Sequence, residues 1–158
     1  MTEASARCYL CGRATSMQVL ESVSGEETPL TLTLQGLPIL VCKNGHRQFA
    51  HAKFAMKVFQ HLANDGAKLP ISNEAGRWFK RPVCADCGAS LENNSSHVRT
   101  FRVDVPLAEA TKFGIDLTMP VFRCRGCGKE QLRSRKELQG RAPAALVRAL
   151  RAAGIAQE

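Results

Sequence analysis

Three Cys-x-x-Cys pairs punctuate this 158-residue chain: Cys8 with Cys11, Cys84 with Cys87, and Cys124 with Cys127. A seventh cysteine, Cys42, stands in Cys-Lys-Asn-Gly-His, with His46 four residues on. The N-terminal stretch has no apolar run, so no secretion signal is read there, and an odd thiol count without one argues against a disulfide framework. Paired thiols in a reducing compartment read as metal ligands. Taken in chain order they divide into two sets of four: Cys8, Cys11, Cys42 and His46, then Cys84, Cys87, Cys124 and Cys127. Four soft donors in tetrahedral reach are what structural zinc takes, so the expected cofactors are two zinc ions.

The neighbouring residues fit that chemistry. Glycine follows each pair, at Gly12, Gly88 and Gly128, and Gly45 precedes His46. A ligand-bearing turn that points its N–H groups at thiolate sulfur often needs positive φ, which glycine supplies. His51 is the rival to His46 as fourth ligand of the first set. His46 is preferred because its spacing nearly copies the other corners. His61, within a predicted helix, and His97, in a polar stretch, read as ordinary residues.

The two halves of the chain resemble each other. Leu37-Pro38-Ile39-Leu40-Val41-Cys42 aligns with Met119-Pro120-Val121-Phe122-Arg123-Cys124, and each half opens with Cys-x-x-Cys-Gly. Such self-similarity is the mark of tandem modules. Short strands are expected at 30–35, 37–41, 100–105 and 113–119, and the polar segments 21–28 and 89–97 read as loops. Helical spacing covers Phe49 to Ala63 and, from a proline suited to a first turn, Pro143 to Ala153. Ser134 to Glu137 reads as a capping box opening a further short turn or helix. The expected fold is small α+β: two tandem β modules, each followed by a helix. Residues 1–65 form the first module with its helix, 66–82 a linker, and 83–158 the second module with its C-terminal helix. Trp78 and Phe79 in the linker either pack against the modules or leave one anchored aromatic on the surface.

The ligand corners Leu-Pro-Ile-Leu-Val-Cys-Lys-Asn-Gly-His and Met-Pro-Val-Phe-Arg-Cys-Arg-Gly-Cys-Gly resemble the second half of the YgiT-type zinc finger of bacterial antitoxins. The resemblance covers the two ribbons. It implies that the two modules are tandem zinc ribbons of rubredoxin-like fold, with Cys84, Cys87, Cys124 and Cys127 matching the four-cysteine pattern and His46 replacing the last cysteine in the first copy. In those antitoxins DNA binding belongs to a separate helix-turn-helix domain, for which the segment after Cys127 is too short.

A metal held by four protein ligands has no open coordination position, so the expected role is structural, with each module unfolded or molten when metal is absent. All seven cysteines are used as ligands, and no Ser/His/Asp set or phosphate loop is present. The chain is therefore read as non-catalytic, with no small-molecule substrate implied. No apolar run is long enough to span a membrane, and the expected location is the cytoplasm. The formal charge of +8 falls to +5 when a four-thiolate zinc (−2) and a three-thiolate, one-histidine zinc (−1) are filled. Between Val121 and Arg151 nine basic residues face two acidic ones. Arg123, Arg125 and Lys129 flank the second ligand set. Arg133, Arg135, Lys136, Arg141, Arg148 and Arg151 are the candidate phosphate contacts. The function expected is macromolecular binding, with nucleic acid as the partner. The alternative is a protein adaptor or antitoxin-like partner-binding protein, using the apolar face of the 49–63 helix. A rubredoxin-like redox role ranks third, because the knuckles lack the proline after the first cysteine.

Overall fold

The computed structural model of the chain describes residues 6–50, 53–65, 68–106 and 113–155. Its centre is a hairpin of two 13-residue strands, β1 (Thr15–Glu27) and β2 (Leu30–Cys42), paired antiparallel from Thr15↔Cys42 to Glu27↔Leu30. The short β3 (Arg47–Phe49) folds back on β2, Val41 opposite Arg47. Helix α1 (Phe54–Asp65) follows. Next come β4 (Asn73–Ala75) and β5 (Arg81–Val83), a separate two-stranded hairpin. A second long hairpin joins β6 (His97–Asp104) to β7 (Gly114–Arg123), and β8 (Glu130–Gln131) folds back on β7, Arg123 opposite Glu130. The chain then enters α2 (Arg135–Ala152).

The two long hairpins join along their inner strands. β2 pairs antiparallel with β7 from Thr31↔Thr118 to Gln35↔Gly114, giving the order β1-β2-β7-β6. The segments before and after 66–82 therefore share one sheet. The pleat sorts its faces. Leu30, Leu32 and Leu34 of β2 and Ile115, Leu117 and Val121 of β7 are buried. The intervening Thr31, Thr33 and Thr118 look outward, where hydroxyl pairs Ser24–Thr33 (2.8 Å) and Thr100–Thr118 (2.9 Å) tie adjacent strands. Helix α2 lies across β1 and β2, burying Ala145, Leu146, Ala149 and Leu150. Phe54 of α1 stacks on Phe49 (5.1 Å between centroids) and meets Phe113 edge-on (5.2 Å). The core is aliphatic, which is why few aromatics suffice.

Several sequence expectations are corrected. Residues 30–41 form one strand, not two, with Gly36 at φ +70° inside it. Residues 21–27, expected as a loop, are the outer half of β1. An edge strand with one face in water takes polar residues there. Phe49 belongs to β3, and the helix begins only at Phe54, because backbone pairing to Ile39 claims Phe49 first. The capping box and the later helix are one element: Ser134 caps α2 by accepting from the Glu137 N–H (3.2 Å), and Pro143 is accommodated on its exposed side. Between 89 and 97, Ser90 and Leu91 form bridges to Val83 and Cys124, and His97 already belongs to β6. The stretch 66–82 holds β4 and most of β5. It is tied down at its start, where Ser72 N–H donates to Leu132 O (2.9 Å) and Leu132 N–H to Pro70 O (2.7 Å). Trp78 and Phe79 do not pack; they are 87% and 91% exposed. His51 lies outside the described residues.

Candidate metal centres

Each Cys-x-x-Cys-Gly folds into the same turn. The first cysteine N–H donates to the carbonyl five residues on: Cys8 to Arg13, Cys84 to Ala89 and Cys124 to Lys129, all at 2.8 Å. The glycine N–H returns to the first cysteine's carbonyl, at 2.7, 3.0 and 3.1 Å for Gly12, Gly88 and Gly128. Those glycines have φ of +69°, +75° and +76°, where a side chain is strained. The corner at Cys42 is one residue shorter. Cys42 N–H donates to His46 O (3.1 Å), and Gly45, at φ +82°, donates to Cys42 O (2.9 Å).

These turns bring the sequence-predicted ligands together in two groups, Cys8, Cys11, Cys42 and His46, and Cys84, Cys87, Cys124 and Cys127. Within each group the donor atoms lie within 4.8 Å of one another. A tetrahedron with metal–sulfur bonds of ~2.3 Å has sulfur–sulfur edges of about 3.8 Å, and about 3.6 Å where one donor is nitrogen. The observed edges are 3.7 Å for Cys11–Cys42, 3.6 Å for Cys84–Cys127 and 3.4 Å for Cys87–Cys124. Cys8 Sγ to His46 Nδ1 is 3.6 Å. The donors fit a tetrahedral, thiophilic ion, and the sulfurs are too far apart for disulfides. In each group two cysteines are buried, Cys8 and Cys42, and Cys84 and Cys124. Cys11 and His46 are half-exposed, and Cys87 and Cys127 are exposed.

Around the second group, N–H donors converge on the buried sulfurs. Cys124 Sγ accepts from the N–H of Gly126 (3.3 Å) and Cys127 (3.5 Å), and Cys84 Sγ from that of Asp86 (3.4 Å). Gln131, only 4% exposed, donates from Nε2 to Cys84 Sγ (3.0 Å) while its Oε1 accepts from Ala85 N–H (2.9 Å). The sequence reading missed this residue. Hydrogen bonds to the charged form favour thiolate. The backbone N–H of Cys87 brings the Cys84 thiol down to about 6 against the opposing effect of burial, with help from Gln131. Cys124 is lowered mainly by the Cys127 N–H. For Cys42, burial pushes up, but the N–H groups of His46 and Asn44 outweigh it and bring the thiol to about 7. In Cys127 the backbone at Lys129 pulls down, yet burial and the neighbouring thiols together push it up to about 11.

The flanking cations are only partly available to the sulfurs. Lys129 is paired with Asp86, and Arg123 lies 3.7 Å from Glu130. Glu130 also meets His97 (3.0 Å) and Arg99 (3.9 Å).

The six candidate phosphate contacts separate. Arg141 donates to Thr28 O and pairs with Glu137 (3.3 Å). Arg148 donates to Glu26 O (2.7 Å) and pairs with Glu27 (3.0 Å). Both clip α2 to the β1–β2 turn. Arg133 lies over the Phe122 ring, 5.5 Å from its centroid. Arg133, Arg135, Lys136 and Arg151 are exposed.

Comparison with protein-family models, curated proteins and solved structures finds no match to this chain. No helix among the described residues is long and apolar enough to cross a membrane.

Proposed function

We propose that the chain is a non-catalytic binding module braced by two zinc ions, built as tandem zinc ribbons, with nucleic acid as its partner. Cys8, Cys11, Cys42 and His46 would hold one ion and Cys84, Cys87, Cys124 and Cys127 the other. When bound, zinc with four protein ligands supplies cross-linking and no Lewis-acid position. The observation that carries this reading is the closure of both donor sets at tetrahedral edge lengths. The ribbon reading is supported by matching backbone: a Cys-x-x-Cys turn precedes each long hairpin, and a short strand folds back after the second ligand corner, β3 on β2 and β8 on β7. The second ribbon leads into α2 directly, while α1 follows β3. A YgiT-type origin rests on the ligand corners alone.

Of the six candidate contacts, Arg133, Arg135, Lys136 and Arg151 are exposed and are not clipped to the β1–β2 turn, and they support a phosphate-bearing partner. Metal analysis together with oligonucleotide binding tests the proposal. Two zinc ions per chain are expected, with affinity that falls steeply as salt rises. Iron in place of zinc, or a flat salt response, would overturn it.

A protein partner is the second reading. A groove of about 250 Å³ runs between α1 and α2, lined by Phe59, Leu62, Leu138 and Ala142 with Arg135 at its rim. Met56, 59% exposed, stands on α1 one turn before Phe59.

A further inference from the structure

The most exposed large apolar side chains among the described residues are adjacent. Trp78 (87%) and Phe79 (91%) stand at the tip of the β4–β5 hairpin. Scattered apolar residues on a surface need no explanation. A Trp-Phe pair on a braced tip is different. The turn is tight: Gly76 has φ +115°, and a Cβ there would meet the Phe79 carbonyl oxygen at 2.2 Å. At the foot, Val83 is buried and runs straight into Cys84 of the second metal group. On the other side Ser72 Oγ donates to Arg133 O (2.7 Å), and Ile71 bridges to Leu132. The hairpin therefore presents its two rings from a fixed base.

The charges around the rings have one prevailing sign. Arg77, Lys80 and Arg81 are all exposed and flank the pair within the hairpin. A recess of about 260 Å³ opens at the foot, with Lys80, Arg81 and Arg133 on its wall beside Ser90 and Asn93. The acidic groups are Glu74, 3.7 Å from Lys80, and Glu92 in the recess. Four cations against two carboxylates leave the region net positive.

We propose that the Trp78–Phe79 hairpin is the site where single-stranded nucleic acid binds, with the two rings stacking on unpaired bases and Arg77, Lys80, Arg81 and Arg133 meeting the phosphates. This inference rests on the nucleic-acid reading above and moves its site from α2 to the hairpin. Exposed aromatic faces beside a cationic track are how sequence-tolerant single-strand binders work, because every base offers a π-face. A duplex keeps its bases stacked and would leave both rings without partners. Trp and Phe beside cations also suit an anionic membrane surface, so it is the polar recess at the foot, with Arg81, Arg133, Ser90 and Asn93 on its wall, that favours a strand reaching past the tip.

The sequence contains one tryptophan, so tryptophan emission, excited where Tyr9 does not absorb, reports on the hairpin alone. The experiment titrates the metal-loaded full chain with fluorescein-labelled oligothymidylate of about 12 nucleotides at about 50 mM salt. Unlabelled oligonucleotide is expected to quench Trp78 emission over the concentration range in which anisotropy of the labelled strand rises. Trp78→Ala and Phe79→Ala should each weaken binding about 5- to 150-fold. Their thermal midpoints should not move, and Trp78→Phe should retain most of the affinity. Binding that leaves Trp78 emission and the Trp78→Ala affinity unchanged would overturn the hairpin site while leaving the nucleic-acid reading standing. No anisotropy change at all would overturn both. A blue shift with phosphatidylserine vesicles, without quenching by the oligonucleotide, would assign the tip to a membrane and overturn the proposal.

Discussion

Gln48 and Gln131 make the same hydrogen bond at the two candidate metal groups. Gln48 Oε1 accepts from the N–H of Tyr9 (3.2 Å), and Gln131 Oε1 accepts from that of Ala85 (2.9 Å). Tyr9 and Ala85 each directly follow the first cysteine of their Cys-x-x-Cys. Gln48 sits on β3 opposite Leu40, and Gln131 on β8 opposite Phe122. They differ in the other half of the amide: Gln131 Nε2 reaches Cys84 Sγ (3.0 Å), whereas Gln48 Nε2 reaches Arg7 O (3.4 Å).

That difference predicts unequal effects. Groups that hydrogen-bond metal ligands typically change affinity 10- to 100-fold when removed. Gln131→Leu should weaken metal binding at the second group by about that factor, measured by chelator competition. Gln48→Leu should cost the first group less, because no sulfur loses a donor. Equal losses at the two groups would contradict this account of Gln131.

The grouping of the candidate ligands is legible in the sequence because spacing alone carries it: Cys-x-x-Cys-Gly dictates a turn whose geometry hardly depends on what surrounds it. Gln131 was missed although a signal existed, since Gly45-His46-Arg47-Gln48 and Gly128-Lys129-Glu130-Gln131 share Gly-x-x-Gln. β2, β6 and β7 are legible close to their places, whereas β1 is not legible as a strand at all. Polar residues such as Ser22, Ser24 and Glu26 look like a loop until the partner strand is known, and β1 is held by its register with β2 rather than by its own pattern. Pairing between β2 and β7 is non-local, and no local periodicity announces it. Arg141 and Arg148 read as a phosphate-facing arc because helical spacing cannot show that the β1–β2 turn lies beneath them.

Metal removal should separate the knuckles from the sheet. Closed four-ligand sites lead to the expectation of modules that unfold or melt without metal, but Leu32, Leu34, Ile115, Leu117 and Leu146 form an aliphatic core away from the sulfurs. Chelation is expected to remove hydrogen-exchange protection from the amides of Cys8, Gly12, Cys84, Gly88, Cys124 and Gly128, while those of the β2–β7 pairing stay protected. Simultaneous loss of both sets would mean that the metal groups hold the whole fold.

Metal affinity should weaken as pH falls. Before metal binds, Cys127 is held up at about 11 and Cys84 down at about 6. At about pH 8 the first is therefore a thiol and the second a thiolate. An ion bound by four thiolates must expel the Cys127 proton, so uptake should release at least one proton. Affinity should then fall at least about tenfold for each pH unit lowered. Below about pH 6 Cys84 must also give up a proton, and the dependence should steepen. Metal-buffered isotherms across that range check the sign and the slope.

At Gly25 the backbone of α2 leaves no room for a side chain on β1. A Cβ at this buried position of β1 would sit 2.0 Å from Ala145 O and 2.4 Å from Ala149 N. Both are backbone atoms of α2, so no side chain can swing away. Gly25→Ala should destabilise the fold by about 1–3 kcal/mol or more, as overpacking does, and should lower the thermal midpoint. A neutral result would show that α2 shifts freely on β1.

The division among the basic residues makes the last prediction. Arg148 holds Glu26 O and Glu27, so removing it should act on stability. Its ion pair is largely exposed, and the loss in Arg148→Ala should be about 1 kcal/mol. Lys136 is exposed on the first turn of the same helix, and Lys136→Ala should leave the unfolding midpoint unmoved. In an oligonucleotide-binding assay the order reverses if α2 contributes long-range attraction. Lys136→Ala should then lower affinity modestly and reduce the slope of log affinity against log salt by less than about 0.7, the share of one direct phosphate contact on a single strand, because Lys136 attracts the strand without touching it. Arg148→Ala should change that slope less, because its charge is already set against Glu27. Melting curves and salt titrations of the two variants decide the matter together: equal salt slopes with equal midpoints would mean that clip and surface cation are interchangeable, contrary to the contacts seen for Arg148.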